Sequence, residues 1–383
     1  MAARSERSDR SSRSPHPLPP LLYDLAAGRN GTSASVDAHL LSMAREHRLT
    51  GLLWTWAREN VADVELKSAL AQHDLFVQAH LGRVWEVLEA SVARLSAAGI
   101  EVATIKGVTS EARWYHRRGE RPCSDVDLLL APHQLDLVAE AVRLIEPDHP
   151  WASDVASMAA TGRIQAVTTH LDGLEVDVHL DLLKVGVPTR QSIEMWELTT
   201  PYPLPGGGSV RVLDDTTALL HLLVHLNKDR FQRLLGYADV VRIMAAGRVD
   251  WARLERFARG EGIAMSAFRT LEVVLDELSL PWPVELERPS GFRARVWNLI
   301  WRENIRLRGS EGRLRFRRRQ DWIPFLARGR RLEALRWWLR EMWPPGPIVA
   351  AHYAHIRGPY LWKLIRGRLG AARATRATRA GRP

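Results

Sequence analysis

One cysteine, Cys123, is all that the 383 residues contain, so no internal disulfide can form and a reducing cytoplasm is the expected setting. That thiol also has no His at a recognisable spacing, which leaves it the role of a small filler. Nowhere does the chain reach the roughly 18 uninterrupted apolar residues that a membrane-crossing helix needs. The opening MAARSERSDRSSRSPHPLPP lacks an apolar stretch and reads as a disordered Ser/Arg/Pro tail, not a secretion signal. Two familiar chemistries are missing as well. His221 and His225 have the four-residue spacing of zinc ligands, but no Glu follows the first, so packing roles are expected. The Gly-rich run from Thr199 to Ser209, TTPYPLPGGGS, has no Lys-Ser/Thr after it, which discounts a P-loop and leaves a boundary or a hairpin loop.

Charge is present in excess but unevenly placed. The formal balance is +10, from 54 Lys and Arg against 44 Asp and Glu. From Arg302 to Pro383 there are 21 basic and 5 acidic residues, so the rest of the chain holds 33 basic against 39 acidic. The positive character therefore belongs to the C-terminal segment. There Trp and Leu sit beside Arg at helical spacing, as in LEALRWWLREMW, followed by an arginine-rich tail. A solvated face, an anionic membrane surface and a nucleic acid all remain open as its surroundings. The expected location is cytoplasmic, with peripheral membrane contact the open alternative.

The stretch that points to chemistry is Ser124–Leu130, SDVDLLL. As a strand it sends Asp125 and Asp127 to one face and Val126, Leu128 and Leu130 to the other. Two carboxylates one strand repeat apart call for a cation between them, Mg²⁺ first among the candidates. Upstream, the β-branched IEVATI at Ile100–Ile105 runs into Lys106-Gly107 and then a helical pattern. Strand, glycine, helix start is a phosphate-binding arrangement, with Lys106 adding a full charge and Gly107 allowing close approach. Arg121, in the loop before the strand, is a candidate for the same anion. Downstream, Asp172-Gly173 between two alternating segments predicts a hairpin. In LEVDVHLDL the polar face carries Glu175, Asp177, His179 and Asp181. Asp177, central in the strand, is the expected third carboxylate. His179 would contact a metal-bound phosphate or the acceptor, or orient Asp177. Lys228 and Arg233, on and after a helix that Asp214-Asp215 would cap, are expected to face phosphates across a cleft.

Helical periodicity fills the rest. Glu65–Leu95 predicts one long helix with a buried stripe of Leu75, Val77, Leu81, Val84, Trp85 and Leu88, and Pro132–Glu146 predicts an amphipathic helix.

Taken together, TIKGVTSEARWY, RPCSDVDLLL and LEVDVHLDL resemble the nucleotidyltransferase superfamily with the DNA-polymerase-β-like fold. More narrowly they resemble a bacterial group in which Lys-Gly replaces the more familiar Gly-Gly or Gly-Ser. With weaker similarity in the flanking helices, the likeness spans residues 35–355. It implies that Asp125 and Asp127 bind two Mg²⁺ ions, and that Asp177 binds the catalytic one and helps activate the acceptor hydroxyl. Lys106 and Gly107 would hold the triphosphate, and Asp239 becomes a possible accessory residue.

The expectation is an α+β protein: a polymerase-β-like core of a small mixed sheet with helices, flanked by N- and C-terminal helical segments. Its divisions would be a basic tail at 1–20, helices at 21–98, the catalytic core at 99–200, a helical domain closing the cleft at 201–300, and a basic helical segment with a tail at 301–383. The expected activity is Mg²⁺-dependent transfer of a nucleoside monophosphate from an NTP, such as ATP, to a hydroxyl of RNA, protein or a small molecule, releasing pyrophosphate. The alternative is a non-catalytic nucleotide-binding adaptor, tethered by its basic C terminus to RNA or an anionic membrane.

Overall fold

The computed structural model describes residues 18–30, 36–150, 152, 154–160, 164–183, 192–229, 231–291, 294, 295, 297 and 298. The expectations for the N-terminal tail up to residue 17 and for the basic segment at 302–383 lie outside the described residues.

Helices α1 (Pro20–Ala26), α2 (Ala38–Glu46), α3 (Thr50–Asn60) and α4 (Val64–Ala97) come first. The strand β1 (Val102–Thr104), the short helix α5 (Val108–Trp114) and the strand β2 (Asp125–Leu130) follow. Beyond them lie α6 (Val138–Ile145), α7 (Val155–Ala160), β3 (Ala166–Leu171), β4 (Leu174–His179), α8 (Ser192–Glu197), β5 (Thr200–Pro203) and β6 (Ser209–Val212). Helices α9 (Asp215–Lys228), α10 (Leu234–Ala245), α11 (Trp251–Gly260) and α12 (Ala264–Glu277) complete the order. The protein is α+β, as expected. Its six strands form one mixed sheet in the order β3-β4-β2-β1-β6-β5, with β2 parallel to β4, β1 parallel to β6 and the other pairs antiparallel.

The sheet separates two apolar layers, and period-two alternation decides which residue serves which. Val126, Leu128 and Leu130 of β2, with Val176 and Val178 of β4, face a core closed by α4 and α6. Ala103 and Leu129 face the other core, built with α1–α3 and α9–α12. Each fully buried leucine contributes about 1.5–3 kcal/mol relative to exposure, so this sorting pins the register of every strand. It also fixes the direction of Asp125 and Asp127.

Helix α4 begins where the Asp63 side chain accepts the Leu66 N–H and ends where the Ile100 N–H returns to the Leu95 carbonyl. Val77, Leu81, Val84, Trp85 and Leu88 are buried as predicted, but Leu75 is 67% exposed. Asp74 takes the inward position instead, because Arg117 grips both of its oxygens at 2.8 and 2.9 Å. A carboxylate can be buried there only because that partner is supplied. The predicted helix at Pro132–Glu146 is also divided. A 3₁₀ segment at Pro132–Leu137 departs from helical geometry at Gln134, whose side chain bonds the Glu101 N–H and the Gly99 carbonyl.

The Asp172-Gly173 hairpin forms with both residues at positive φ, 51° and 78°, the geometry of a type I′ turn. The Thr199–Ser209 run resolves as the β5–β6 hairpin, in which Pro201 and Pro203 occupy an edge strand. Proline is tolerated there because its missing N–H faces away from the partner strand. No helix among the described residues is long and apolar enough to cross a membrane.

Candidate active site

Strands β2 and β4 run parallel with Asp127 level with Asp177, and Leu129 level with His179. Since the alternate residues of both strands point into the α4–α6 core, Asp125, Asp127, Asp177 and His179 share the opposite face. One ligand atom each from Asp127, Asp177 and His179 lie within 4.8 Å of one another. Asp125 is not part of that trio. Its Oδ2 lies 3.8 Å from Lys106 Nζ.

Asp127 is the most tightly held of these groups. His179 Nε2 lies 2.7 Å from its Oδ1, and Lys106 Nζ lies 2.9 Å from its Oδ2. Burial alone would push this carboxyl up, but Lys106 and His179 outweigh burial and hold it well below the usual carboxylate range. The same contact works in reverse on the lysine. Burial disfavours its charge, yet Asp127 and then Asp125 keep the ammonium protonated beyond the ordinary lysine range. With Asp127 ionised, His179 Nε2 must carry the proton of the 2.7 Å bond, so His179 orients Asp127. Asp177 Oδ1 accepts the Thr168 hydroxyl at 2.6 Å, which fixes its rotamer from β3.

Gly107 stands at φ 79°, ψ −135°, a backbone state that L side chains rarely adopt. A Cβ there would lie 3.1 Å from Cys123 Sγ. Burial pushes the Cys123 thiol up to about 11, which makes it a packing residue and not a nucleophile. Arg121 is buried, with Nε and Nη2 donating to the two oxygens of Asp239 at 2.8 and 2.9 Å and Nη1 to the Gly107 carbonyl at 3.3 Å. The Tyr115 hydroxyl also donates to Asp239, at 2.7 Å. Thus Arg121 and Asp239 come together as a strut beneath the Lys106-Gly107 turn.

These elements open onto a cavity of about 710 Å³. Lys106, Gly107, Arg121, Asp125 and Asp127 line one wall. Lys228, Asp229 and Arg233 also line it, Asp239 does so beside Arg121, and Arg48 joins them from the turn after α2. Asp177 and His179 lie beyond its rim, joined to it through Asp127. No local pattern marks Arg48, which lies 58 residues before Lys106 and in no phosphate-binding motif. His221, by contrast, is a packing residue as expected, its Nδ1 2.6 Å from the Leu182 carbonyl.

A family described as "Uncharacterised nucleotidyltransferase" matches residues 34–274, well over half of the chain. The chain belongs to that family. No curated protein and no solved structure matches it. The match takes in every site residue described above, from Arg48 to Asp239. Two carboxylates with an imidazole behind them suit a hard divalent cation. Asp127 Oδ2 is buried and makes no hydrogen bond of good geometry, having only the Lys106 ammonium beside it. The donor set therefore fits a metal ion, with Asp127 and Asp177 as its holders.

Proposed function

We propose that this nucleotidyltransferase moves a nucleoside monophosphate from an NTP to a hydroxyl acceptor and releases pyrophosphate, using Mg²⁺. The observation that carries the reading is the level pairing of Asp127 with Asp177 on adjacent parallel strands, beside a cleft rich in Lys and Arg. Asp125, Asp127 and Asp177 would hold two ions, which supply charge neutralisation at the α-phosphate and at the leaving pyrophosphate. Asp177, kept in place by Thr168, takes the proton of the attacking hydroxyl as the new O–P bond forms and the bond to pyrophosphate breaks. His179 keeps Asp127 in its ion-facing rotamer. Lys106 and Lys228 bring positive charge to the phosphates. The Gly107 turn, braced by Arg121 and Asp239, lets the backbone come close to them.

Incubation of the full chain with each α-labelled NTP and Mg²⁺, against cell RNA, total protein and a small-molecule extract, tests this reading and identifies the acceptor. Label should enter one fraction with stoichiometric pyrophosphate, and Asp127→Asn should lower both on the order of 10³-fold. A second reading, a non-catalytic nucleotide-binding adaptor, draws on the two groups that already cover both oxygens of Asp127. NTP binding without pyrophosphate release, unchanged by Asp127→Asn, would favour it.

A further inference from the structure

We propose that Arg48 and Arg233 form a two-pronged clamp for a phosphoryl group inside the cleft, an inference that rests on the nucleotidyltransferase reading above. The two arginines are 185 residues apart in the chain, and one buried histidine joins their backbones. His47 is 1% exposed. Its ring Nδ1 accepts the Leu234 N–H at 3.3 Å and its carbonyl accepts the Leu235 N–H at 3.2 Å. Those are the first two amides of α10, and Arg233 is the residue that caps it. The turn after α2 is thereby docked onto the start of α10, with Arg48 next to Arg233.

The turn is held at some cost. Arg48 has φ 57°, a conformation uncommon for a residue with a side chain. It is fixed by the Leu49 N–H returning to Ala44 at 2.7 Å. Both side chains line the cleft. Burial and then the neighbouring Arg233 guanidinium lower the pKa of Arg48, with Asp125 opposing them, so the two like charges act on each other. Among the described residues neither guanidinium has a carboxylate in ion-pair range.

Asp125 relieves this only in part, without an ion pair, and the other charges of the cleft are engaged elsewhere. Arg121 is spent on Asp239, Lys106 lies against Asp127, and Asp229 is taken by His225 at 3.0 Å. Two adjacent cations without a partner, facing a cleft, are stabilised when an anion enters between them, and the guanidinium fork matches phosphate oxygens. Two sources share that chemistry: the terminal phosphates of the NTP and a phosphate carried by the acceptor.

Titration calorimetry on the full chain tests the clamp, with tripolyphosphate, NTP and NMP as probes, plus inorganic phosphate added to protein saturated with a non-hydrolysable NTP analogue. If the clamp holds the NTP tail, Arg48→Gln and Arg233→Gln each weaken tripolyphosphate and NTP about tenfold or more, a loss of about 1.4 kcal/mol, and leave NMP unchanged. If it holds an acceptor phosphate, tripolyphosphate and NTP are unaffected and inorganic phosphate on the saturated protein weakens instead. Arg48→Lys, which keeps the charge and the turn, should restore part of the lost affinity and guards against misfolding of the glutamine variant. Unchanged affinity for all four probes in both glutamine variants, with unaltered melting, overturns the clamp. A clamp that behaves as expected in a chain that transfers no nucleotide would leave this inference standing and sink the proposed activity instead.

Discussion

Arg121 meets Asp239 through two hydrogen bonds, with Tyr115 and the Gly107 carbonyl using the remaining nearby groups, whereas Lys106 meets Asp127 through one contact and has Asp125 within 3.8 Å. Both pairs lie in the wall of one cleft, buried except for the Lys106 side chain, which is 16% exposed. The first is saturated: every polar group has a fixed partner, and nothing is gained by moving it. The second is exchangeable. A flexible ammonium stands between two carboxylates, in a position suited to a metal ion, and could turn to an incoming phosphate when a divalent ion replaces it. Charge is alike in the two pairs, so partner count, geometry and the partial exposure of Lys106 distinguish a brace from a working group.

Four experiments test that contrast. The largest effect is expected on transfer itself. Asp127→Asn should lower NMP transfer on the order of 10³-fold, the scale of losing one preorganised electrostatic partner. Its melting temperature should fall less than that of Asp239→Asn, because Lys106 can turn to Asp125. Equal losses of stability in the two variants would erase the distinction. Asp239→Asn comes next, measured by denaturant unfolding. It leaves the Arg121 guanidinium buried without its counter-charge and should cost about 3–5 kcal/mol.

Lys106→Met should raise the affinity for Mn²⁺ without nucleotide by about tenfold, or about 1.4 kcal/mol, read by paramagnetic relaxation. Unchanged affinity would mean that the ammonium does not compete for the ion seat. The smallest effect is in acid. The Asp127 carboxyl is depressed in the folded chain, so its contribution is intact above the ordinary carboxylate pKa of about 3.9. That contribution is lost only as pH falls from there toward the folded value. Stability of the native chain should thus drop more steeply than that of Asp127→Asn below about pH 4, by titrated unfolding. Parallel curves would contradict the depressed value.

Much of the site was legible because it depends on local rules. Alternation alone put Asp125 and Asp127 on one side of β2, and Asp172-Gly173 announced the turn that returns β4 beside β3. What alternation could not supply was the level of β2 against β4, since parallel neighbours are joined by a long crossover with no turn to set their register. The pairing of Asp127 with Asp177, and the exclusion of Asp125 from the trio with His179, therefore needed coordinates. Arg48 was hidden for a related reason: His47 brings it to Arg233 through a contact with no sequence pattern. Along α4, periodicity named the right face but not the point where Arg117 draws Asp74 inward and leaves Leu75 outside.

The β5 border has a consequence for how copies of this protein behave toward one another. With Pro201 and Pro203 at alternate positions of the outermost strand, that rim offers no amide at two successive outward sites. A neighbouring chain laid along it would find carbonyls but few donors, so ribbon-like stacking from this side stops before it starts. The opposite margin, β3, is covered from within the chain: Glu146 accepts the His170 N–H at 2.8 Å and His149 Nε2 lies 3.1 Å from the Thr168 carbonyl, so that border is no open seat either.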